Sequence, residues 1–218
     1  MEITIFRKFT ATNLIYSAKY GIIRIGGYHQ SAISHLQFNN DDIKWKEIMK
    51  MGRSRGLSSA VMINENKIFC CGGYVGAYKN FTEIFDLENK KEIKLKQMTH
   101  KRCRLGIYRD EHKENRIYIG GGKIAYSSCS KQFEYYDLNK NNWFNLGDTN
   151  GTHGCNPIIW KDDPNIINIA SVWSKQFEKM DLRENKWNIF IKDHGDRSFD
   201  DVFGVVLPKN LSKMRLCL

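Results

Sequence analysis

Residues 66–74 of the chain read NKIFCCGGY, where a short apolar run ends in two cysteines and two glycines. Three other apolar runs also end in a pair of small residues: IIRIGG (22–27), RIYIGG (116–121) and IINIAS (166–171). Counted from the first small residue of each run, the separations are 46, 48 and 50 positions. Those first residues are Gly26, Gly72, Gly120 and Ala170. A period of about this length indicates an internal repeat.

Each repeat carries a second block in which an apolar residue precedes Asp-Leu. The blocks are EIFDL (83–87), EYYDL (134–138), EKMDL (178–182) and the looser HLQFNN (35–40). Seven residues after Phe38, Tyr136 and Met180 stand Trp45, Trp143 and Trp187, whereas the second repeat has Glu92. We interpret the aspartates as turn residues that accept hydrogen bonds from nearby backbone amides. We expect the tryptophans to pack between repeats.

Short runs rich in Val, Ile, Phe and Tyr, bounded by Gly, Asn, Asp and Lys, are typical of β-strands. The second repeat shows four such runs, LSSAVMI, IFCCGG, TEIFDL and EIKLKQM. No segment has a sustained helical stripe. The sequence therefore predicts an all-β chain with four antiparallel strands in each repeat.

These motifs resemble the kelch repeats: a diglycine closes the second strand, an aromatic-Asp-Leu block lies in the third, and a Trp follows seven residues later. The resemblance implies a kelch-type β-propeller, and the period fits. The expected organisation is one domain over residues 1–218, with four four-stranded blades. The blades are expected at about 10–49, 53–98, 100–147 and 151–191, with partial blades at 1–9 and 192–218.

The two ends of the chain raise the question of closure. DVFGVVLP and KMRLCL near the C-terminus have the pattern of two strands, so we expect the chain to end inside a fifth blade. The leading hypothesis is a piece of a larger propeller. The alternative is an irregular small closure in which the terminal strands pair.

The cysteines favour a structural role. Cys70 and Cys71 fall at strand positions, where a free cysteine behaves as a small buried hydrophobe. The remaining four are scattered without the paired spacing of a zinc site. We expect no metal and no cofactor. The absence of a long apolar run and of a signal-peptide pattern predicts a cytoplasmic protein without a membrane partner.

The formal net charge of +10 favours acidic partners. Many lysines lie in turn clusters, and no nucleic-acid-binding module accompanies the charge, so we expect a protein rather than a nucleic acid. In a four-stranded meander, the start of strand one and the loop after strand two lie at the same end. The predicted partner-binding residues at that end are Arg53, Arg55, Arg102, Arg104 and His153 before the first strands, with Tyr28, Tyr74, Tyr78, Tyr126 and Ser127 after the second strands.

Kelch propellers that serve as substrate adaptors of cullin ubiquitin ligases use arginines of RxR-type segments to bind acidic peptides. GRSRGL and HKRCRLG resemble those segments, which implies this role for Arg55 and Arg104. Their guanidinium groups suit bidentate binding of carboxylates. The resemblance thus implies a non-catalytic interaction module, with substrate recognition for a ubiquitin ligase as one form of it. The equally weighted alternative is a scaffold role, in which each arginine pairs with an aspartate of a neighbouring blade, such as Asp86 or Asp137.

Catalysis is the second alternative, because the kelch fold also occurs in copper radical oxidases and a sialic acid epimerase. The six histidines form no close ligand-like pair in the sequence. His153 with Arg104 is the candidate for an acid/base site. Fold alone does not decide between these functions.

Overall fold

The computed structural model describes residues 12–39, 42–110, 112–113, 115–171, 174 and 176–192. They form four four-stranded sheets and one small hairpin. The first sheet contains β1 (Asn13–Ser17), β2 (Gly21–Gly27), β3 (Gln30–Asn39) and β4 (Asp42–Lys50). The second contains β5 (Ser59–Asn64), β6 (Lys67–Cys71), β7 (Thr82–Asp86) and β8 (Lys91–Lys94).

The third sheet contains β9 (Gly106–Arg109), β10 (Arg116–Gly120), β13 (Gln132–Asp137) and β14 (Asn142–Asp148). The hairpin, β11 (Lys123–Ala125) and β12 (Ser128–Cys129), is inserted between its second and third strands. The fourth contains β15 (Ile158–Asp163), β16 (Ile166–Ser171), β17 (Gln176–Asp181) and β18 (Lys186–Lys192). Each sheet is an antiparallel meander with strands in chain order. The all-β prediction is confirmed, and the architecture is propeller-like.

Three apolar layers hold successive sheets together. One cluster joins Ile23 and Ile25 of the first sheet to Ile68 and Phe85 of the second. A second cluster lies between the second and third sheets, and a third between the third and fourth. Successive residues of a strand point to opposite faces of its sheet. The second and third sheets therefore each contribute apolar side chains to the layer on either side of them. The sheets therefore stack face to face in chain order.

Cys70 and Cys71 show this alternation directly. Cys70 packs in the layer toward the first sheet, and Cys71 packs in the layer toward the third. Both are fully buried, and burial raises the pKa of Cys71 well above its usual value, so its thiol stays protonated. The prediction that this pair is structural is confirmed.

The glycines let neighbouring sheets meet backbone to backbone. The amides of Gly27, Gly73 and Gly122 donate to the carbonyls of Arg55, Arg102 and His153 at 2.9, 2.9 and 2.7 Å. The residue before each of these amides has a left-handed φ, and a Cβ there would collide with the same carbonyl. These preceding residues are Gly26, Gly72 and Gly121.

Two positions of the repeat differ from the sequence alignment. In the third repeat the structural equivalent of Gly72 is Gly121 rather than Gly120, because Gly121 makes the close approach to the next sheet. In the first repeat Leu36, not Phe38, pairs with Trp45. Leu36 and Trp45 stand nine residues apart, against seven for Tyr136 and Trp143, because the β3–β4 hairpin extends further beyond this pair, and Phe38 on that extension is 61% exposed.

The turn aspartates behave as predicted, with backbone amides donating to Asp86, Asp137 and Asp181 at 2.9–3.0 Å. Trp143 packs between the second and third sheets and donates from Nε1 to the Lys96 carbonyl at 2.8 Å. Glu92 takes the equivalent strand position in the second sheet, where its carboxylate accepts a hydrogen bond from the Gly52 amide at 2.6 Å. A polar link to the preceding sheet thus replaces the tryptophan.

The predicted partial blades at 1–9 and 192–218 lie outside the described residues, except for Lys192, which is the last residue of β18. Within the described ranges, no helix has the length and apolar character needed to cross a membrane.

Candidate functional site

The segments before the first strands and after the second strands meet at one end of the sheets, which we call the loop face. Backbone bridges join Gly27 to Arg55, Gly56 to Tyr74 and Cys103 to Lys123. The predicted site residues therefore lie on one end of the molecule. The orientation of their side chains divides them into a buried set and an exposed set.

Arg55, Arg102 and His153 form the buried set, with exposures of 1%, 0% and 0%. Arg55 pairs with Glu83, Arg102 pairs with Glu134, and His153 Nε2 lies 2.9 Å from Glu178 Oε1. Each carboxylate comes from the third strand of the same sheet as its cation. The prediction that these three side chains contact a partner is therefore wrong for the folded chain, because each is enclosed with its own counter-ion.

The scaffold interpretation also needs a correction. It named neighbouring aspartates such as Asp86 as partners, whereas the observed partner is a glutamate within the same sheet. Arg102 additionally donates to the carbonyls of Gly121 and Gln132, both at 3.1 Å. Its guanidinium thus links the first strand segment, the glycine bend and the third strand.

Burial dominates the electrostatics of these glutamates. It raises the pKa of Glu134, and the positive charge of Arg102 opposes that shift. Burial raises the pKa of Glu83 in the same way, against Arg55 and Arg53. A buried carboxylate of this kind depends on its cation, since an unpaired charge in the interior is costly.

Arg104 is half-buried and does not occupy the repeat position of Arg55 and His153. Arg102, not Arg104, is the structural equivalent of Arg55 and His153, since the carbonyls of these three residues accept the cross-sheet hydrogen bonds. Arg104 has a left-handed φ of 54°, and its Nη1 lies 3.8 Å from Cys155 Sγ. The offset arises because the turn between β9 and β10 is two residues longer than the turn between β5 and β6, so that Arg102 stands 19 residues before Gly121 whereas Arg55 stands 17 before Gly72.

The set with solvent access is mainly aromatic, with Tyr28 40% exposed and Tyr74 and Tyr78 half-buried. The Tyr28 ring lies edge-on to Tyr74 at 6.3 Å, and the Tyr74 ring lies edge-on to Tyr78 at 5.2 Å. The loop between Tyr74 and Tyr78 is closed by a backbone bridge, so the first two sheets present one compact group of three rings. Burial raises the pKa of Tyr78, which keeps its hydroxyl neutral as a hydrogen-bonding group.

The hairpin of the third sheet contributes a separate exposed aromatic. Tyr126 is 93% exposed at its tip, with Ser127 beside it. The Lys123 ammonium lies 6.0 Å from the Tyr126 ring centroid. This combination gives the loop face a projecting aromatic side chain next to a positive charge.

Arg53 connects the exposed and buried sets. Its guanidinium stacks on Phe81 at 4.2 Å and lies 3.6 Å from Glu83. Its side chain remains 37% exposed. Of the five predicted cationic positions, Arg53 and Arg104 therefore retain solvent access.

The glutamates were missed in the sequence, although a signal for them exists. Glu83, Glu134 and Glu178 each stand three residues before the repeated aspartate. A glutamate recurring at a buried strand position predicts a buried cation opposite it. The inserted hairpin and the stacking of Arg53 on Phe81 have no comparable signal.

Comparisons with known proteins support the fold but indicate no function. The chain is similar to the solved structure of YjhT, with 12% sequence identity, a TM-score of 0.65, and coverage of 86% of this chain and 67% of that one. No family model matches the chain, and no curated protein matches it. Among the described residues, no group of three or more His, Cys, Asp and Glu side chains is arranged to hold a metal ion.

Proposed function

We propose that this chain is a kelch-type propeller module that binds an acidic segment of a partner protein on its loop face. The observation that carries the proposal is the cluster of Tyr28, Tyr74 and Tyr78 with the projecting Tyr126. Tyrosine supplies large contact area at low entropic cost, together with a polar tip. None of these four rings belongs to the apolar layers between the described sheets.

The charge around the rings favours an acidic partner. Lys123 lies 6.0 Å from the Tyr126 ring, Arg53 and Arg104 retain solvent access on the same loop face, and the whole chain carries a formal charge of +10. A positive face speeds encounter with acidic partners and sets specificity more than it adds affinity. The partner contacts that we assign are thus the exposed tyrosines, Ser127 and these three cations.

The resemblance to kelch adaptors extends the proposal one step further, to substrate recognition for a ubiquitin ligase in the cytoplasm. In that setting the bound segment would be an acidic stretch of the protein to be modified. The buried pairs of Arg55 and Arg102 would then serve the site indirectly, by fixing the segments from which Arg53 and Arg104 project.

The test uses a fluorescein-labelled peptide of alternating Glu and Gly, with a Gln-Gly peptide as its neutral control. We expect fluorescence anisotropy to show binding of the acidic peptide only, weakening as salt rises. Tyr126→Ala should weaken binding about 5- to 30-fold, as for an aromatic residue that contributes about 1–2 kcal/mol.

Phe38→Ala is the matched control, because Phe38 is also an exposed aromatic but lies at the end of β3 opposite the loop face. It should leave peptide binding unchanged. Equal losses in Tyr126→Ala and Phe38→Ala, or equal binding of the acidic and neutral peptides, would refute the proposed site.

A further inference from the structure

In the second and third sheets, a buried cation, its glutamate and a glycine bend lie together, and the fourth sheet differs at two of these three positions. The cation that is Arg55 or Arg102 elsewhere becomes His153, and the glycine that is Gly72 or Gly121 becomes Ser171. The carboxylate is retained as Glu178, which is fully buried. Since a purely structural ion pair is already satisfied by arginine in two sheets, the exchange changes the chemistry available at this place.

Glu178 is held as a carboxylate in a fixed orientation. The backbone amides of Asn150 and Gly151 both donate to it at 2.7 Å, and Asn150 Nδ2 donates at 2.9 Å. Burial raises the pKa of Glu178, but the hydrogen bonds from His153 and these amides outweigh burial and hold that pKa below its usual value. An ionised carboxylate only accepts hydrogen bonds, so the proton between the two side chains belongs to His153 Nε2.

With a proton on Nε2, Nδ1 is the acceptor nitrogen of the neutral form of the imidazole. Ser174 Oγ lies 3.1 Å from His153 Nδ1, and Ser171 Oγ lies 3.3 Å from the same atom. The two hydroxyl oxygens are 3.1 Å apart. A continuous hydrogen-bonded chain therefore runs from a serine hydroxyl through the imidazole to a buried carboxylate.

Burial distinguishes the two serines. Ser171 is 7% exposed, whereas Ser174 is half-buried and closer to the imidazole. His153 and Glu178 are fully enclosed. Ser174 is thus the member of this chain of hydrogen bonds that is partly exposed to solvent. The arginines of the second and third sheets could not do the same work, because a guanidinium has no acceptor atom for a serine proton.

We propose that Ser174 is a nucleophile for carboxylic esters, with His153 as its general base and Glu178 as the positioning residue. This order of nucleophile, base and orienting acid defines activated serines on unrelated folds. Ser174 Oγ bonds to the ester carbonyl carbon while its proton passes to His153 Nδ1. The carbon–oxygen bond to the alcohol then breaks, and the alcohol leaves with that proton. Water hydrolyses the acyl-serine by the same route, releasing the acid.

The experiment treats the full chain with a fluorophosphonate, which loses fluoride as it phosphonylates an activated serine. We expect one adduct, mapped to Ser174 by peptide mass spectrometry, and release of p-nitrophenol from p-nitrophenyl acetate by the unlabelled chain. Ser174→Ala should abolish both. Labelling no faster than that of the urea-unfolded chain, or an adduct at another residue, would overturn the proposal. This mapping is made on the unaltered chain and depends on no variant.

His153→Arg is the decisive variant, because it restores the ion pair that the second and third sheets already use. It should keep the melting temperature while labelling slows at least about 100-fold, the lower end of general-base contributions. Phe38→Ala, which alters an exposed residue at the opposite end of the sheets, should label at the unaltered rate. Undiminished labelling of the folded His153→Arg chain would refute the role of the imidazole.

Glu178→Gln separates positioning from simple folding. If Glu178 stabilises the protonated imidazole, this variant should move the pH at which labelling is half-maximal toward lower values. A structural role alone would change the melting temperature and leave that pH profile in place.

Discussion

Arg102→Met should destabilise the chain strongly, although the substitution keeps a long side chain. Arg102 is fully buried, and its guanidinium bonds Glu134 and two backbone carbonyls. Without it, Glu134, whose side chain is 2% exposed, is left as a buried carboxylate with no cation. Breaking such a pair costs about 3–5 kcal/mol. For a chain of this size, that corresponds to a fall in melting temperature of about 6–20 °C.

The assay is urea unfolding followed by circular dichroism, with Lys101→Ala as the control because Lys101 is the exposed neighbour. We expect the control to change the free energy of unfolding by less than about 0.5 kcal/mol. A second variant, Arg102→Met with Glu134→Leu, removes both charges and should recover about 2 kcal/mol or more of the loss. An Arg102→Met chain as stable as the control would refute the scaffold role, and so would a double variant less stable than the single one.

Two further predictions concern the glycine bends and the acid limb of stability. Gly72→Ala should lower the free energy of unfolding by more than about 2 kcal/mol in the same assay, since the φ of Gly72 is +65° and a Cβ there would lie 2.5 Å from the Arg102 carbonyl oxygen. Gly147 also has a positive φ, +84°, but open space around it, so Gly147→Ala should cost only about 1 kcal/mol. Burial raises the pKa of Asp110, but the hydrogen bonds from Lys161 and nearby amides lower it by more than burial raises it. The pKa of Asp110 therefore lies below its usual value. Its stabilisation is therefore present above the unfolded-state pKa of about 4 and is lost as pH falls below that value. Thermal unfolding between about pH 5 and pH 2 should show a smaller acid-induced loss in Asp110→Asn than in the unaltered chain.

The strands and turns could be predicted from the sequence because their causes are local. Alternating apolar residues define the strands, and an aspartate two or three residues before an amide defines its own turn, as at Asp137. Cys70 and Cys71 could be assigned to the core for the same reason, since adjacent strand residues face opposite sheets. The recurrence of an apolar run that ends in two small residues then indicates that the repeats stack on one another.

The candidate site was only half predictable. The loop positions correctly place the tyrosines and arginines at one end of the sheets, because strand direction follows from an antiparallel meander. The sequence did not show that Arg55 turns inward and Arg53 outward, two residues apart in the same segment. Both side chains reach Glu83, but Arg55 is enclosed with it whereas Arg53 stacks on Phe81, and both of these partners lie further along the chain.

The sequence by itself determined an all-β chain of repeated units, the positions of its turns and the end at which its longer loops gather. Only the tertiary structure decided which cations are enclosed and which side chains a partner can reach. The physical reason lies in the loops after the second strands, which vary in length, so that cation and glutamate stand 28, 32 and 25 residues apart in successive sheets. Because the spacing between each cation and its glutamate is not constant, these pairs leave no period in the sequence. They can be seen only once the third strand of each sheet lies against the segment that precedes its first strand.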